Sequence, residues 1–174
     1  MNNNEKMKAR KVKPETFKDF INAAPEEIQD LFEKAKTVKQ SANWHPEGDV
    51  YTHIGIVFNR AKKTKDINFM MGAFFHDLGK VNGTTFIPPN KYSAHGHEFG
   101  SLRLVEKYKD WIESLGANYE IVHFIVKFHM KVKLMHEMRP SKREALRAEK
   151  YYEYVNKFSA FDDMQTDYSN DIDR

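Results

Sequence analysis

The sequence contains no cysteine, and this absence excludes several kinds of function. Its 174 residues cannot form a disulfide or a thiolate metal site, and they offer no cysteine nucleophile. A glycine-rich phosphate-binding loop is also missing. The lack of cysteine fits a reducing compartment, and we expect a soluble, cytoplasmic protein.

Long apolar runs and a strong charge of one sign are missing as well. No apolar run reaches the roughly 18 residues that a membrane-spanning helix needs, and residues 1–6 lack the apolar core of a signal peptide. We therefore expect no membrane partner. The net charge is +3, from 28 basic and 25 acidic residues, which is too balanced to indicate nucleic-acid binding by itself.

The residues that are present indicate a helical protein with a full core. Hydrophobic residues make up 40% of the chain and aromatic residues 13%. Apolar residues recur at helical spacing nearly throughout, without an alternating strand pattern or an internal repeat. The sequence thus predicts an all-α, single-domain fold. We expect an N-terminal basic segment over residues 1–24, a domain over residues 25–167 and a disordered tail over residues 168–174.

Start and stop signals divide this pattern into helices. The first begins after Pro25, and the others are expected over Val50–Lys63, Ile67–His76, about His97–Leu115, Tyr119–Met130 and Pro140 to about Met164. Asn118 is placed to cap the helix that follows it. Ser141 and Glu144 form a capping-box pattern. Residues 82–93 contain a glycine and two prolines, which predicts a surface loop.

The most informative feature is the run His76-Asp77-Leu78-Gly79-Lys80, which follows an apolar helix. Neighbouring side chains diverge on a regular element, but a histidine and an aspartate can converge where a helix ends. Imidazole and carboxylate together suit a divalent metal, and Lys80 would supply a positive charge for a phosphate. The alternative is a solvated helix end, and these five residues alone do not decide between the two.

Two further residues extend this pair to a candidate set of four metal ligands. His53 lies beside apolar positions of its helix, where a single histidine is more often a core residue than a ligand. Matching registers of two antiparallel helices would bring it to His76. Asp162 lies on the apolar face of the last helix, where an unpaired acid is costly to bury, whereas Asp163 points elsewhere. Such a nitrogen and oxygen set suits manganese, iron, cobalt, nickel, zinc or magnesium.

Three other histidines are candidates for binding a phosphate or a second metal. His95 and His97 lie at the start of a predicted helix, and a helix N-terminus favours anions. His129 lies in a basic cluster at the end of another helix, where the helix dipole alone would stabilise a protonated histidine. Both interpretations of His129 remain open.

Together these residues resemble the HD superfamily of metal-dependent phosphohydrolases, whose signature is a His, a His-Asp doublet and a distal Asp. The likeness is strongest to the C-terminal HD domain of bacterial CCA-adding tRNA nucleotidyltransferases, over residues 44–163. The similar stretches are His45-Pro46-Glu47-Gly48-Asp49-Val50-Tyr51-Thr52-His53, His76–Lys80, His95–Glu98, Phe128–His129 and Phe161–Asp163. Family members usually place a small residue before a single distal Asp. Phe161 precedes two acids here, so the register between Asp162 and Asp163 stays open.

The resemblance implies an HD-type helical bundle and a set of site residues. The implied metal ligands are His53, His76, Asp77 and Asp162. The implied phosphate contacts are His45, Lys80, His95, His97 and His129, of which His97 and His129 are also candidates for a second metal. As catalytic residues, Asp77 would orient the attacking water, and Lys80 and His129 would offset charge on the phosphoryl oxygens.

The function that follows is hydrolysis of a nucleotide or RNA-end phosphate ester. The resemblance favours a 2′,3′-cyclic phosphodiesterase or phosphatase, with a small nucleotide or an RNA end as substrate. A deoxynucleoside mono- or triphosphate hydrolase is an alternative, although Lys80 stands where certain 5′-nucleotidases of the superfamily carry a Glu. A catalytically silent nucleotide- or RNA-binding module is an alternative of another class. We expect no addition of nucleotides to tRNA, and the many aromatic residues leave room for a homo-oligomer.

Overall fold

Helices supply most of the secondary structure in the computed structural model, which describes residues 13–173. They are α1 (Phe17–Ala23), α2 (Glu26–Ala35), α3 (Val50–Lys62), α4 (Ile67–His76), α5 (Lys80–Gly83), α6 (His97–Lys107), α7 (Lys109–Ser114), α8 (Tyr119–Lys133), α9 (Pro140–Arg147) and α10 (Tyr152–Phe161). A 3-10 turn, Met135–Glu137, links α8 and α9. The all-α, single-domain prediction is confirmed. None of these helices is both long enough and apolar enough to cross a bilayer.

The core lies around α4, which packs between α3 and α8. Its sequence is apolar on nearly every side, and Phe74 and Phe75 are completely buried within it. A helix that is apolar all round must be covered on several faces, which explains this central position. Helix α10, the last helix, packs against both α8 and α3, so its C-terminal end lies near the same centre.

Side-chain caps fix the starts of the three central helices. Asp49 accepts a hydrogen bond from the backbone of Thr52 at 2.8 Å, and Asp66 accepts one from Asn68 at 2.8 Å. Asn118 accepts from the backbone N–H groups of Glu120 and Ile121, the second and third residues of α8, as the sequence predicts. Such caps satisfy backbone donors that a helix start leaves unpaired. They therefore define where α3, α4 and α8 begin.

Several local predictions need correction. The helix expected over residues 97–115 breaks at Tyr108, whose φ and ψ are −106° and 27°, and the last expected helix breaks between α9 and α10. The capping box is wrong: Pro140 takes the first helical position, so Ser141 lies inside α9 and cannot cap it. The predicted loop contains a hairpin, β1 (Thr85–Ile87) with β2 (Lys91–Ser93), in antiparallel register with Thr85 opposite Ser93.

Both expected terminal segments contribute contacts to the domain within the described residues. Helix α1 buries Phe17 and Phe20 in the main core, although residues 1–24 are predicted as a basic segment outside it. Asp171 is buried against Arg60, although a disordered tail is predicted from residue 168. Apolar and charged contacts, respectively, hold these segments. The basic residues before Lys13 and the final Arg174 lie outside the described part of the chain.

Candidate metal centre

The first two candidate ligands meet because α4 runs back along α3. His53 lies near the start of α3 and His76 is the last residue of α4, so the short turn at residues 63–66 places them side by side. Their Nε2 atoms are 3.2 Å apart, and both side chains are completely buried. The two helices therefore have the register that a shared site requires.

Asp77 joins these histidines because the helix ends at this residue. It is the C-cap of α4, with φ −112° and ψ 4°, so its side chain leaves the helical direction. Its Oδ2 lies 3.0 Å from His53 Nε2 and 3.4 Å from His76 Nε2. Adjacent His and Asp side chains thus converge on one point, as the sequence argument for a helix end requires.

The distal carboxylate comes from Asp162, directly after α10. Its Oδ1 lies 2.9 Å from His53 Nε2 and 3.4 Å from His76 Nε2. The residue is 5% exposed and follows the fully buried Val155 and Phe158 on the same helix face. Asp163 instead accepts a hydrogen bond from the backbone of Gln165 at the exposed surface. The fold brings Asp162, and not Asp163, to the histidines.

A second cluster shares Asp77 with the first. The other oxygen of Asp77, Oδ1, lies 2.8 Å from His97 Nε2 and 3.5 Å from His129 Nε2. The Nε2 atoms of His97 and His129 are 3.3 Å apart, and both residues are buried. The Asp77 carboxylate therefore stands between two groups of ring nitrogens, one on each oxygen.

Close packing of α6 against the chain after α4 creates this second cluster. Gly79 donates a backbone hydrogen bond to Ser101 Oγ at 2.8 Å, and Ser101 donates to the carbonyl of His76 at 2.9 Å. A Cβ on Gly79 would stand only 2.1 Å from the carbonyl oxygen of His97. Gly79 is needed for this close approach, which places His97 beside Asp77.

Hydrogen bonds at Nδ1 fix the tautomers of the histidines. His76, His97 and His129 each place Nδ1 against the carbonyl oxygen three residues earlier, at 2.7, 2.9 and 2.7 Å. A carbonyl only accepts, so Nδ1 carries the hydrogen and Nε2 presents a lone pair. His53 Nδ1 likewise donates to Glu47 Oε1 at 2.7 Å. Ring nitrogens oriented in this way are typical of metal-binding histidines.

The first cluster consequently contains more acceptors than donors, and a cation would resolve the excess. Asp162 Oδ1 is buried and has no hydrogen-bond partner as long as His53 Nε2 carries a lone pair; in the described part of the chain only Glu47 Oε2 shares this condition. Metal–ligand bonds of about 2.0–2.2 Å put neighbouring ligand atoms roughly 3.0–3.4 Å apart at ordinary bond angles. The measured separations match that spacing. The residues His53, His76, Asp77 and Asp162 form a buried group that could bind a metal ion.

The charges around the cluster keep its carboxylates ionised. Burial raises the pKa of Asp77, but His76 and Lys80 outweigh this effect and hold it well below its usual range. Burial acts on Asp162 in the same way, and Lys133 outweighs it there. Burial lowers the pKa of His53, but its bonds to the surrounding carboxylates raise it to about 10. In the absence of a metal, a proton on His53 Nε2 therefore faces the ionised carboxylates of Asp77 and Asp162.

An outer layer of side chains orients the cluster, and the sequence analysis overlooked part of it. Glu47 has a completely buried side chain whose Oε1 accepts from both His53 and His45, the latter at 2.9 Å. These bonds lower the pKa of Glu47 to about 2, despite the opposing effect of burial. Lys133 places Nζ 3.7 Å from Asp162 Oδ2. The sequence signal available for Glu47 was an acid two residues after His45, within the His45–His53 stretch.

A cavity of about 500 Å³ opens onto both clusters, and most of the predicted phosphate contacts line it, including Lys80. Lys80 Nζ donates to Asp77 Oδ2 at 2.7 Å and to Gln40 Oε1 at 2.9 Å, so it is directed at the cluster. His45, His95 and His97 line the cavity, whereas His129 lies in the second cluster behind it. The fold therefore gathers all the predicted site residues in one region.

Comparison with known proteins gives similarity over part of the chain. It is 32% identical over 105 residues to the Multifunctional CCA protein of Nitrosospira multiformis, which covers 59% of this chain and 24% of that protein. The protein of the same name from Janthinobacterium sp. is 41% identical over 70 residues, 40% of this chain and 16% of the relative. The one from Thioalkalivibrio sulfidiphilus is 31% identical over 115 residues, 66% of this chain and 26% of the relative.

These matches relate the chain to a region of CCA proteins. The chain spans about a quarter, or less, of the length of these curated relatives. No protein-family model matches the chain, and no solved structure matches it. The similarity is consistent with a CCA-protein-related region in this chain, and the buried His/Asp group is a feature of the same chain.

Proposed function

We propose that this protein is a metal-dependent phosphohydrolase of the HD superfamily that cleaves a nucleotide or RNA-end phosphate ester. The observation that carries the proposal is the convergence of His53, His76, Asp77 and Asp162 with lone pairs that lack donors. These residues follow the HD order along the sequence, a His, a His-Asp doublet and a distal Asp. The similarity to CCA proteins supports the same family.

The four residues would hold the ion, and the surrounding side chains would handle the phosphate. A divalent cation bound there supplies Lewis-acid polarisation of a phosphoryl oxygen and a more acidic water. Two imidazole nitrogens favour manganese, iron, cobalt, nickel or zinc over magnesium. Asp77 would orient the attacking water. Lys80 keeps that carboxylate ionised through its 2.7 Å contact.

Positive groups on the cavity side of the cluster would offset the charge of the phosphate. The Lys133 side chain is 39% exposed and lies beside Asp162, so its ammonium can contact a phosphoryl oxygen in the cavity. His95 is exposed on the same cavity wall. His97 and His129 would bind a second metal, because their Nε2 lone pairs face Asp77 Oδ1. Binding of a phosphoryl oxygen instead would require a hydrogen on one of these nitrogens. A second cation would share Asp77 with the first.

The substrate that we propose is a nucleoside 2′,3′-cyclic phosphate or a similar RNA-end ester. The cavity volume lies in the range of about 300–1,000 Å³ found for small-molecule sites, which suits a mononucleotide or a single chain end. Deoxynucleoside mono- and triphosphates belong in the same test panel. A clear preference for them would support the alternative nucleotide-pool hydrolase.

Two matched variants test the enzyme proposal. Purified protein is assayed with manganese, nickel or cobalt on bis-p-nitrophenyl phosphate and on the nucleotide panel. We expect Asp77→Asn to lower kcat/KM by about 100-fold or more, because the charge of a central ligand is lost. Asp163→Asn is the control, since this acid lies outside the cluster, and it should keep nearly full activity. If the protein binds nucleotides but hydrolyses none of them with any added metal, the result would instead support a silent binding module.

A further inference from the structure

An exposed tryptophan lies at the cavity, beside the charged cluster. Trp44 is 68% exposed, more than any other large hydrophobic residue in the described part of the chain. Tryptophan is ordinarily among the more buried residues. Trp44 lies in the segment between α2 and α3, directly before His45, and it lines the cavity that contains Asp77. Its exposure therefore coincides with the place where a substrate would enter.

Other apolar side chains line the same cavity. Leu134 is 43% exposed and, like Tyr92 and Met130, belongs to the cavity wall. Tyr92 is supported from behind by Phe86 of the hairpin, with ring centroids 5.2 Å apart. The cavity thus has a charged side, formed by the His/Asp cluster and its lysines, and an aromatic and aliphatic side. A ligand that combines a phosphate with a flat apolar group matches both.

The two sides are joined through residues adjacent in sequence. Trp44 precedes His45, whose ring centroid lies 4.8 Å from that of His53 in the cluster. Leu134 follows Lys133, whose Nζ lies 3.7 Å from Asp162 Oδ2. Trp44 and Leu134 themselves line the cavity that also contains Asp77 and Asp162. An apolar group next to a phosphate at the cluster would therefore share the cavity with both apolar residues.

We propose that Trp44, together with Tyr92 and Leu134, forms a subsite that binds the nucleobase next to the reacting phosphate. The inference rests on the proposed function and identifies the part of the substrate that the cavity recognises. Aromatic side chains bind bases of any sequence by stacking, because every base has a flat π-face. The base belongs either to a free mononucleotide or to the end of an RNA chain, and the chemistry of the subsite is the same for both.

Binding is measured first, without any need for turnover. The chain has two tryptophans, so Trp111→Phe leaves Trp44 as the only one. In this background we expect AMP to quench tryptophan fluorescence saturably, whereas ribose 5-phosphate does not, because it has no base. A short oligoadenylate with a 3′-phosphate forms the third arm and distinguishes a chain end from a free nucleotide. Absence of quenching by both base-containing ligands would overturn the inference.

Substitution of Trp44 then tests the subsite directly. Trp44→Ala should weaken AMP binding, measured by calorimetry, by at least about 5-fold and leave ribose 5-phosphate binding unchanged. Trp44→Phe keeps an aromatic face and should restore most of the affinity. Phe99→Ala is the matched control, because Phe99 is also 61% exposed but does not line the cavity. Equal weakening of both ligands by Trp44→Ala would contradict a base subsite.

The outcomes separate this inference from the proposed function. Quenching and a base-specific effect of Trp44→Ala, in a protein that hydrolyses nothing, would support the subsite and overturn the hydrolase. Hydrolysis with equal efficiency for nucleotides and for base-free phosphate esters, unaffected by Trp44→Ala, would support the hydrolase and overturn the subsite. Circular dichroism of each variant, including Trp111→Phe, checks whether the helical fold is intact.

Discussion

Helix α3 carries two buried polar clusters of opposite character. His53 and Arg60 are seven residues apart, which places them on the same face of the helix two turns from each other. Around His53, ring nitrogens and carboxylates face each other, and a buried oxygen of Asp162 has no hydrogen-bond partner. Around Arg60, every nitrogen of the guanidinium donates to an acceptor. The contrast separates a site that needs a cation from a contact that already contains one.

The Arg60 cluster holds the chain that follows α10. Nε donates to Asp171 Oδ2 at 3.1 Å, and Nη1 donates to the carbonyls of Phe161 and Asp163 at 2.9 and 2.7 Å. Nη2 donates to Thr166 Oγ1 at 3.1 Å. The two carbonyls flank Asp162, so this saturated cluster also holds in place a carboxylate of the unsaturated one.

The largest effect expected is on stability, from Arg60→Met. This change removes the buried cation and leaves the carbonyls of Phe161 and Asp163 without this donor, whereas Asp171 keeps its contact with Lys63. We expect a loss of about 3 kcal/mol or more in the free energy of unfolding, because several buried acceptors lose the same charged donor at once. Urea unfolding followed by circular dichroism measures it, and the loss should already be present without manganese.

Lys63→Met is the control for this comparison. Lys63 also contacts Asp171, at 2.5 Å, but its side chain is 65% exposed. Exposed ion pairs contribute about 0–1 kcal/mol. A loss for Lys63→Met as large as that for Arg60→Met would show that the charge of Asp171, and not the network around the guanidinium, stabilises the tail.

A smaller effect, dependent on metal, is expected from Asp162→Asn. The replacement keeps the shape of the side chain and removes the charge of one of the four candidate ligands, so the stabilisation that a bound metal supplies should fall. Manganese at about 100 times its Kd should stabilise the original protein by about 2.7 kcal/mol. We expect most of this gain to disappear in the variant, as measured by the shift of Tm on adding manganese. An undiminished shift would place the metal elsewhere.

The sequence was sufficient for the features that depend on local periodicity. Helical phase with an apolar face favours Asp162 over Asp163, and the structure brings the Asp162 carboxylate to His53. Helix ends marked by strong signals were also located, such as the start of α8 at Asn118. Both features depend on residues within about two turns of each other, where spacing alone carries the information.

Features that depend on contacts distant in sequence were not predictable in the same way. Arg60 binds backbone carbonyls about one hundred residues later, and carbonyls have no sequence signature. Glu47 was overlooked because its role depends on the ring orientations of two histidines. The hairpin strands are three residues long, too short to show an alternating pattern.

The smallest predicted effect is the pH dependence of the Arg60 cluster. Burial raises the pKa of Asp171, but hydrogen bonds from Lys63 and Arg60 outweigh it and lower the pKa below 3.8. A lowered pKa means that the carboxylate stabilises the fold above about pH 4, and that this contribution is lost as the pH falls through the native value. Asp171→Asn should therefore cost about 1–2 kcal/mol at pH 7 and progressively less towards pH 2. Urea unfolding at a series of pH values measures the difference.

Asp173→Asn is the control, because this exposed acid of the same tail accepts a hydrogen bond from Asn59 and lies outside the Arg60 cluster. A cost for Asp171→Asn that stays constant down to pH 2 would mean that shape, and not charge, holds the tail to α3.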